Sequence, residues 1–226
     1  IFFEEANIAG APLPFVTIST VGPALMSHGS ALQKDRFLPG IAAGEIHFAI
    51  GYSEPDAGSD LATLKTAAKV EPDGFVVNGN KLWTSGVEAA DFVWLAARTD
   101  PERPRHKGIS LLIVDTRTPG FSHTPIPTVG NSTAATYYDN VQVPREMLVG
   151  ELHGGWKLIT DQPNHERLGL GSWADKVFAP FRRVLLWAKA PDEQGRRAID
   201  QPWVRRALAD CYVRLEAQRT LNFRIA

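Results

Sequence analysis

Ser53-Glu54-Pro55-Asp56-Ala57-Gly58-Ser59-Asp60 and, further along, Lys81-Leu82-Trp83-Thr84-Ser85-Gly86 are the two stretches on which the reading of this chain turns. The first is rich in turn formers, and on composition alone it is a surface loop after a strand. The same small residues, Gly58 and Ser59 among them, also let a ligand approach the backbone, where free N–H groups and hydroxyls can serve phosphate or ring oxygens. The second stretch has two readings as well. It is the end of a strand carrying a buried tryptophan, or it sets the flat Trp83 ring beside the hydroxyls of Thr84 and Ser85. That set suits a planar heteroaromatic ligand, covered on one face and hydrogen-bonded along its nitrogens. Neither stretch decides between its readings alone.

Around these stretches the apolar pattern changes period twice. Residues 1 to about 45 are mostly helical. Ile1 to Ala6 reads as the last turns of a helix, apolar residues recur from Val16 through Leu25, and Ser30 to Ala43 is a second short helix with Phe37 and Leu38 on its buried side. From Ile46 the chain breaks into short apolar runs: His47–Tyr52, Leu64–Val70, Phe75–Trp83, Phe92–Ala97, Ile109–Val114, Phe121–Ile126 and Ala135–Val141. The turn Glu71-Pro72-Asp73-Gly74 joins the second and third of these as a hairpin. Strands this short and closely spaced predict a compact antiparallel barrel or sandwich. After Gly150 the helical period returns near Trp156. Pro163 is expected to kink or break that helix, Ala190–Gln201 is a loop, and Pro202 opens a final helix at the position where proline is tolerated. The fold class is therefore α+β, with a β domain at 46–150 between helical parts at 1–45 and 151–226.

Composition sets the outer bounds. The chain has 226 residues with 24 Lys+Arg against 25 Asp+Glu, so no strong field recruits nucleic acid or a membrane surface. Its one cysteine, Cys211, excludes a disulfide within the chain and fits a reducing compartment, with the cytoplasm as the default. No apolar run approaches bilayer-spanning length. Six scattered histidines offer no metal-ligand spacing. The chain starts without methionine and stops inside a helical pattern, which reads as a fragment.

In order, the motifs resemble the acyl-CoA dehydrogenase family. That family carries a Thr/Ser-Glu-Pro-x-Ala-Gly-Ser-Asp loop after a strand, here Ser53 to Asp60, and then a Trp-x-Thr/Ser turn, here Trp83 to Ser85. A Lys-Gly-Ile-Ser strand follows at Lys107–Ser110, then a Val-Pro-x-x-x-Leu-x-Gly segment at Val143–Gly150, and a Gly-Trp start to a long helix at Gly155-Trp156. The likeness is nearest to actinobacterial members acting on steroid side-chain thioesters, which often pair as two unlike subunits.

The resemblance implies FAD as cofactor, with Tyr52 and Ser53 at the flavin pyrimidine edge, Trp83 against the ring system and Ser85, beside Thr84, near N5. Ser59, next to Gly58, matches a position serving both the FAD phosphates and the acyl-CoA. It also implies a helical domain, a middle β domain and a helical bundle. The assembly would be a dimer or dimer of dimers, with an electron-transfer flavoprotein as acceptor.

The family reaction removes a proton from the α carbon and a hydride from the β carbon of a CoA thioester. Its base is a glutamate in one of two places. One lies beyond this chain; the other, in a Glu-Arg-Leu context on the helix after Gly-Trp, matches Asn164-His165-Glu166-Arg167-Leu168. Glu166 is the candidate base, and Arg167 is assigned to the CoA or substrate side. A surface pair is the competing reading of Glu166 and Arg167. Two alternatives to a working dehydrogenase stay open: a non-catalytic partner subunit of a heteromeric enzyme, and a related acyl-CoA oxidase-type flavoenzyme.

Overall fold

The computed structural model describes residues 2–11, 13–129, 132–162 and 176–225. The chain divides into two units, residues 14–163 in one and residues 1–13 with 164–226 in the other. Helix α1 (Phe2–Ala9) belongs to the second unit. The first unit opens with a helical turn of π type (Thr17–Val21) that continues into α2 (Gly22–His28), and α3 (Ala31–Ala43) follows.

Helix α3 begins and ends where local chemistry dictates. The Ser30 hydroxyl accepts the Gln33 N–H and the Gln33 side chain accepts the Ser30 N–H, a reciprocal cap that satisfies two otherwise orphaned donors. Gly44, at φ 75°, closes the helix in the left-handed conformation that glycine adopts without a Cβ penalty. The amide of Gln33 also donates to the carbonyls of Glu146 and Leu148 at 2.7 and 2.8 Å, which fastens the helix to the far end of the sheet.

Among the described residues eight strands form one sheet: β1 (Phe48–Gly51), β2 (Ala67–Glu71), β3 (Gly74–Lys81), β4 (Phe92–Arg98), β5 (Ile109–Asp115), β6 (Phe121–Ile126), β7 (Thr133–Pro144) and β8 (Leu148–Val149). Their order is β6-β7-β3-β2-β4-β5-β8, with β1 beside β4. The hairpin expected at Pro72-Asp73 is present, with Glu71 paired to Gly74. Two pairings depart from the antiparallel expectation: β2 meets β4 in parallel at Ala67 opposite Arg98, and β1 runs parallel to β4, from Phe48 opposite Phe92 to Gly51 opposite Leu95. The long connection between them, which carries the 53–60 loop and the β2–β3 hairpin, is what a parallel crossover requires.

The run expected from Leu64 begins only at Ala67, because the Arg98 guanidinium takes the carbonyls of Ala62 and Leu64 at 2.8 and 3.0 Å and removes them from any strand ladder.

The core lies where α3 meets β1 and β4. Phe37 is fully enclosed and packs edge-on against Phe48 and Phe92, with ring centroids 5.6 and 5.1 Å away. Phe48 also meets the enclosed Trp94. Strands β4 and β5 are buried along nearly their whole length, as continuous apolar runs demand.

Helix α4 starts at 155 and is described to 162. Gly155 is required there by close approach, since a Cβ would sit 2.8 Å from the Ser110 Cα and 2.9 Å from the Leu111 nitrogen. The Ser110 hydroxyl also accepts the His153 N–H at 2.8 Å. The Lys107–Ser110 and Gly155-Trp156 motifs are thus two sides of one contact. Pro163 and its expected kink lie outside the described residues.

In the second unit, α5 (Phe178–Lys189) and α6 (Pro202–Ile225) flank the 190–201 loop, and Phe181 stacks on Tyr212 at 5.9 Å. No helix among the described residues is long and apolar enough to cross a membrane.

Candidate active site

The two motif loops meet at the ends of β1 and β3. Strand β1 delivers Tyr52, Ser53 and Glu54; β3 delivers Lys81 and then turns into Leu82–Ser85. The arms are joined directly, because the Leu82 N–H donates to the Ser53 carbonyl at 2.8 Å. Past Glu54 the loop folds tightly, with Glu54 and Ala57 exchanging main-chain hydrogen bonds of 2.8 and 3.1 Å. That turn leaves Gly58 and Ser59 on the surface.

At the second arm, alternate residues part company. Thr84 is fully buried, with its hydroxyl 3.3 Å from that of Thr136 and its N–H on the Ala134 carbonyl at 3.0 Å. It anchors the arm to β7. On either side of it, Trp83 and Ser85 are exposed. The Ser85 hydroxyl donates to that of Thr133 at 3.2 Å, which fixes its direction.

Trp83 is the most unusual residue here. The residue is 57% exposed and its backbone sits at φ 64°, in the left-handed region that a bulky L-residue rarely adopts. A large flat apolar surface is thus held in water by a strained backbone, a combination that burial does not reward. It fits a planar ring system laid against the indole, with the Ser85 hydroxyl at the same edge.

Under this surface lies a buried ion pair that sequence reasoning did not single out. Lys81 Nζ donates to Glu54 Oε1 at 2.8 Å and to the Tyr52 carbonyl at 3.0 Å, and the side chains are 0% and 6% exposed. Glu54 also accepts the main-chain N–H groups of Lys65 and Thr66, at 2.6 and 2.8 Å. Burial pushes the Lys81 ammonium down to about 8, only partly opposed by Glu54, and the Arg98 charge adds to the fall. Burial also acts to raise the Glu54 carboxyl, but the Lys81 charge and the hydrogen bonds from Lys81, Thr66 and Lys65 outweigh it and hold it below the usual range. One signal was present in the sequence: Lys81 is in phase with Phe75 and Val77 on the buried face of β3.

Tyr52 takes part in a chain of hydrogen bonds. Trp94 Nε1–H donates to its hydroxyl at 3.1 Å, and that hydroxyl donates to Gln162 Oε1 on α4. The structure thus brings Tyr52, Ser53, Trp83, Thr84 and Ser85 together, with Gly58 and Ser59 on the adjoining loop. Glu166 and Arg167 lie outside the described residues. Among the described residues no group of three or more His, Cys, Asp or Glu is placed to hold a metal ion.

Comparison with known proteins identifies the family. Residues 49–141 match the acyl-CoA dehydrogenase middle domain and residues 153–226 match its C-terminal domain. Two curated relatives from Mycobacterium tuberculosis cover the whole chain: acyl-CoA dehydrogenase FadE29 at 50% identity and acyl-CoA dehydrogenase FadE26 at 51%. The chain spans 59% and 58% of their lengths. Among solved structures, the Tcur3481-Tcur3483 steroid ACAD superposes with a TM-score of 0.91 at 52% identity, covering 99% of this chain and 57% of that one. The ChsE4-ChsE5 complex from Mycobacterium tuberculosis superposes with a TM-score of 0.91 at 50% identity, covering 100% and 59%. With motifs, fold and whole-chain identity in agreement, this chain belongs to the acyl-CoA dehydrogenase family.

Proposed function

We propose that this chain forms the middle part of an FAD-dependent dehydrogenase that introduces a double bond between the α and β carbons of an acyl-CoA thioester. The observation that carries the reading is Trp83: an exposed indole at a strained φ of 64°, flanked by the Ser85 hydroxyl and joined to the Ser53 arm. The residues that would hold FAD are Tyr52 and Ser53 at the pyrimidine edge, Trp83 against the ring, Ser85 near N5, and Gly58 with Ser59 toward the phosphates. When bound, FAD supplies the hydride acceptor.

The chain's own chemistry is then proton removal and positioning. Glu166 takes the proton from the α carbon. A carboxylate is too weak a base for this in water, so its site must be desolvated, which raises its proton affinity. Hydrogen bonds to the thioester oxygen must meanwhile stabilise the developing enolate-like charge. Arg167 is assigned to the CoA or substrate side, and Ser59 contributes to binding both ligands.

A steroid side-chain thioester is the preferred substrate class, supported by the likeness to the Tcur3481-Tcur3483 steroid ACAD. That likeness and the one to the ChsE4-ChsE5 complex support assembly with a paralogous subunit, and an electron-transfer flavoprotein is the proposed acceptor. The three-part division at about residues 45 and 150 is the domain plan proposed for the complete protein.

The test is the visible spectrum of the full-length protein co-expressed with its neighbouring paralogue, recorded anaerobically with and without acyl-CoA thioesters. Bleaching of the flavin band on adding thioester is the expected result. Glu166→Gln should keep the flavin and lose the bleaching. Bound flavin that no thioester bleaches would leave a non-catalytic subunit, and rapid reoxidation by air would indicate an oxidase.

A further inference from the structure

The Glu54–Lys81 pair takes no part in the chemistry proposed above, yet the Lys81 and Glu54 side chains are 0% and 6% exposed, far more enclosed than surface pairs such as Lys65–Asp56 and Arg105–Asp60. Enclosed charges persist only when paired and hydrogen-bonded, and an apolar pair of similar volume is often at least as stable. Stability alone therefore does not account for it.

What the pair does geometrically is specific. Lys81 Nζ reaches the Tyr52 carbonyl and Glu54 Oε1. Glu54 in turn reaches the N–H groups of Lys65 and Thr66, so three chain segments converge on two side chains. One of these segments bears Tyr52 and Ser53. Another is β3, one residue before the Leu82 N–H that donates to the Ser53 carbonyl and two before Trp83. The two ligand-facing arms cannot shift separately while these bonds hold. A leucine or methionine at position 81 would fill the space without directing a hydrogen bond to Tyr52.

We infer that Lys81 and Glu54 are positioning residues that hold the Tyr52–Ser53 and Trp83–Ser85 arms in register, so that flavin affinity depends on a pair that never touches the flavin. The inference rests on the FAD reading of those arms.

The experiment uses the full-length protein with its partner subunit, stripped of flavin. It compares wild type, Lys81→Met, Lys81→Arg and the double variant Glu54→Gln/Lys81→Met. The double variant leaves no unpaired buried charge, so a stably folded protein remains if the single variant fails to fold. Amide hydrogen exchange of the flavin-free proteins is read at Leu82 and Thr66, and FAD titration gives the Kd and the shape of the flavin band. The expected result is faster exchange at both amides, a shifted band and an FAD Kd raised on the order of tenfold or more in the double variant, at unchanged melting temperature. Lys81→Arg should recover part of the affinity. A double variant with wild-type exchange, band and Kd would overturn the inference. Changed exchange together with a wild type that takes up no FAD would instead remove the FAD reading and leave the register of the two arms established.

Discussion

Replacing Trp83 separates a structural tryptophan from one held for a ligand. The backbone at φ 64° costs a bulky L-residue about 1–2 kcal/mol. Trp83→Gly releases this, while glycine's larger freedom in the unfolded chain takes back about 0.5–1 kcal/mol. Trp83 is 57% exposed, so the burial lost is less than half of a full tryptophan's, about 1 kcal/mol more. These contributions nearly cancel, and the flavin-free protein should change in stability by less than about 1 kcal/mol. With flavin the account differs. Covering the exposed part of the ring and the ring-on-ring contact together contribute about 2 kcal/mol, or roughly thirtyfold in Kd. Urea denaturation of the flavin-free protein and FAD titration by fluorescence measure the two quantities. A loss of more than about 2 kcal/mol in the flavin-free protein, with FAD affinity unchanged, would refute the reasoning and make Trp83 a structural residue.

Other substitutions test the frame around the site. Phe37→Ala removes a fully enclosed ring from the α3–β1–β4 contact and should cost about 3–5 kcal/mol in urea denaturation. Gly155→Ala drives a Cβ into the Ser110 main chain and should cost about 1–3 kcal/mol, seen as a lower melting temperature. Gly58→Ala meets nothing within 4 Å, so stability should hold within about 0.5 kcal/mol while FAD or CoA binding weakens. In pH titrations of stability, the held-down Glu54 carboxyl contributes stability that is present above its ordinary value of 4.5 and is lost as pH falls through its lower folded value. Lys81 moves stability in the same direction in a higher window, as a cost relieved rather than a contribution lost. Between about 8 and its ordinary 10.5 the unfolded chain binds more protons, so its contribution makes stability rise with pH across that window. Lys81→Met should flatten both limbs.

Much of the site was legible because its parts are local. The order of the 53–60 loop, the Trp83–Ser85 turn, the Lys107–Ser110 strand and Gly155-Trp156 is a property of the string, and it carried the family, the α+β class and the candidate site residues. Element ends were legible for the same reason. Ser30 with Gln33, Gly44, Pro72-Asp73 and Pro202 act through bonds to residues a few positions away. The strand expected from Leu64 starts only at Ala67, because Arg98, far along the chain, claims the Leu64 carbonyl.

What only the tertiary structure decided follows from contacts between distant segments. Periodicity shows that a run is a strand but not which strand lies beside it, so the parallel pairing of β1 with β4 could not be read. Neighbouring residues with similar hydroxyls, Thr84 and Ser85, were indistinguishable until β7 enclosed one and left the other exposed. Glu54 and Lys81 were not singled out, although Lys81 keeps phase with the buried Phe75 and Val77. Each became a buried partner of the other only because β1 and β3 end side by side, where water is excluded and an unpaired charge is too costly to persist. The sequence alone determines which chemical groups are present and in what order; the meeting of strand ends determines which of them stay exposed at the candidate site and which are buried beneath it.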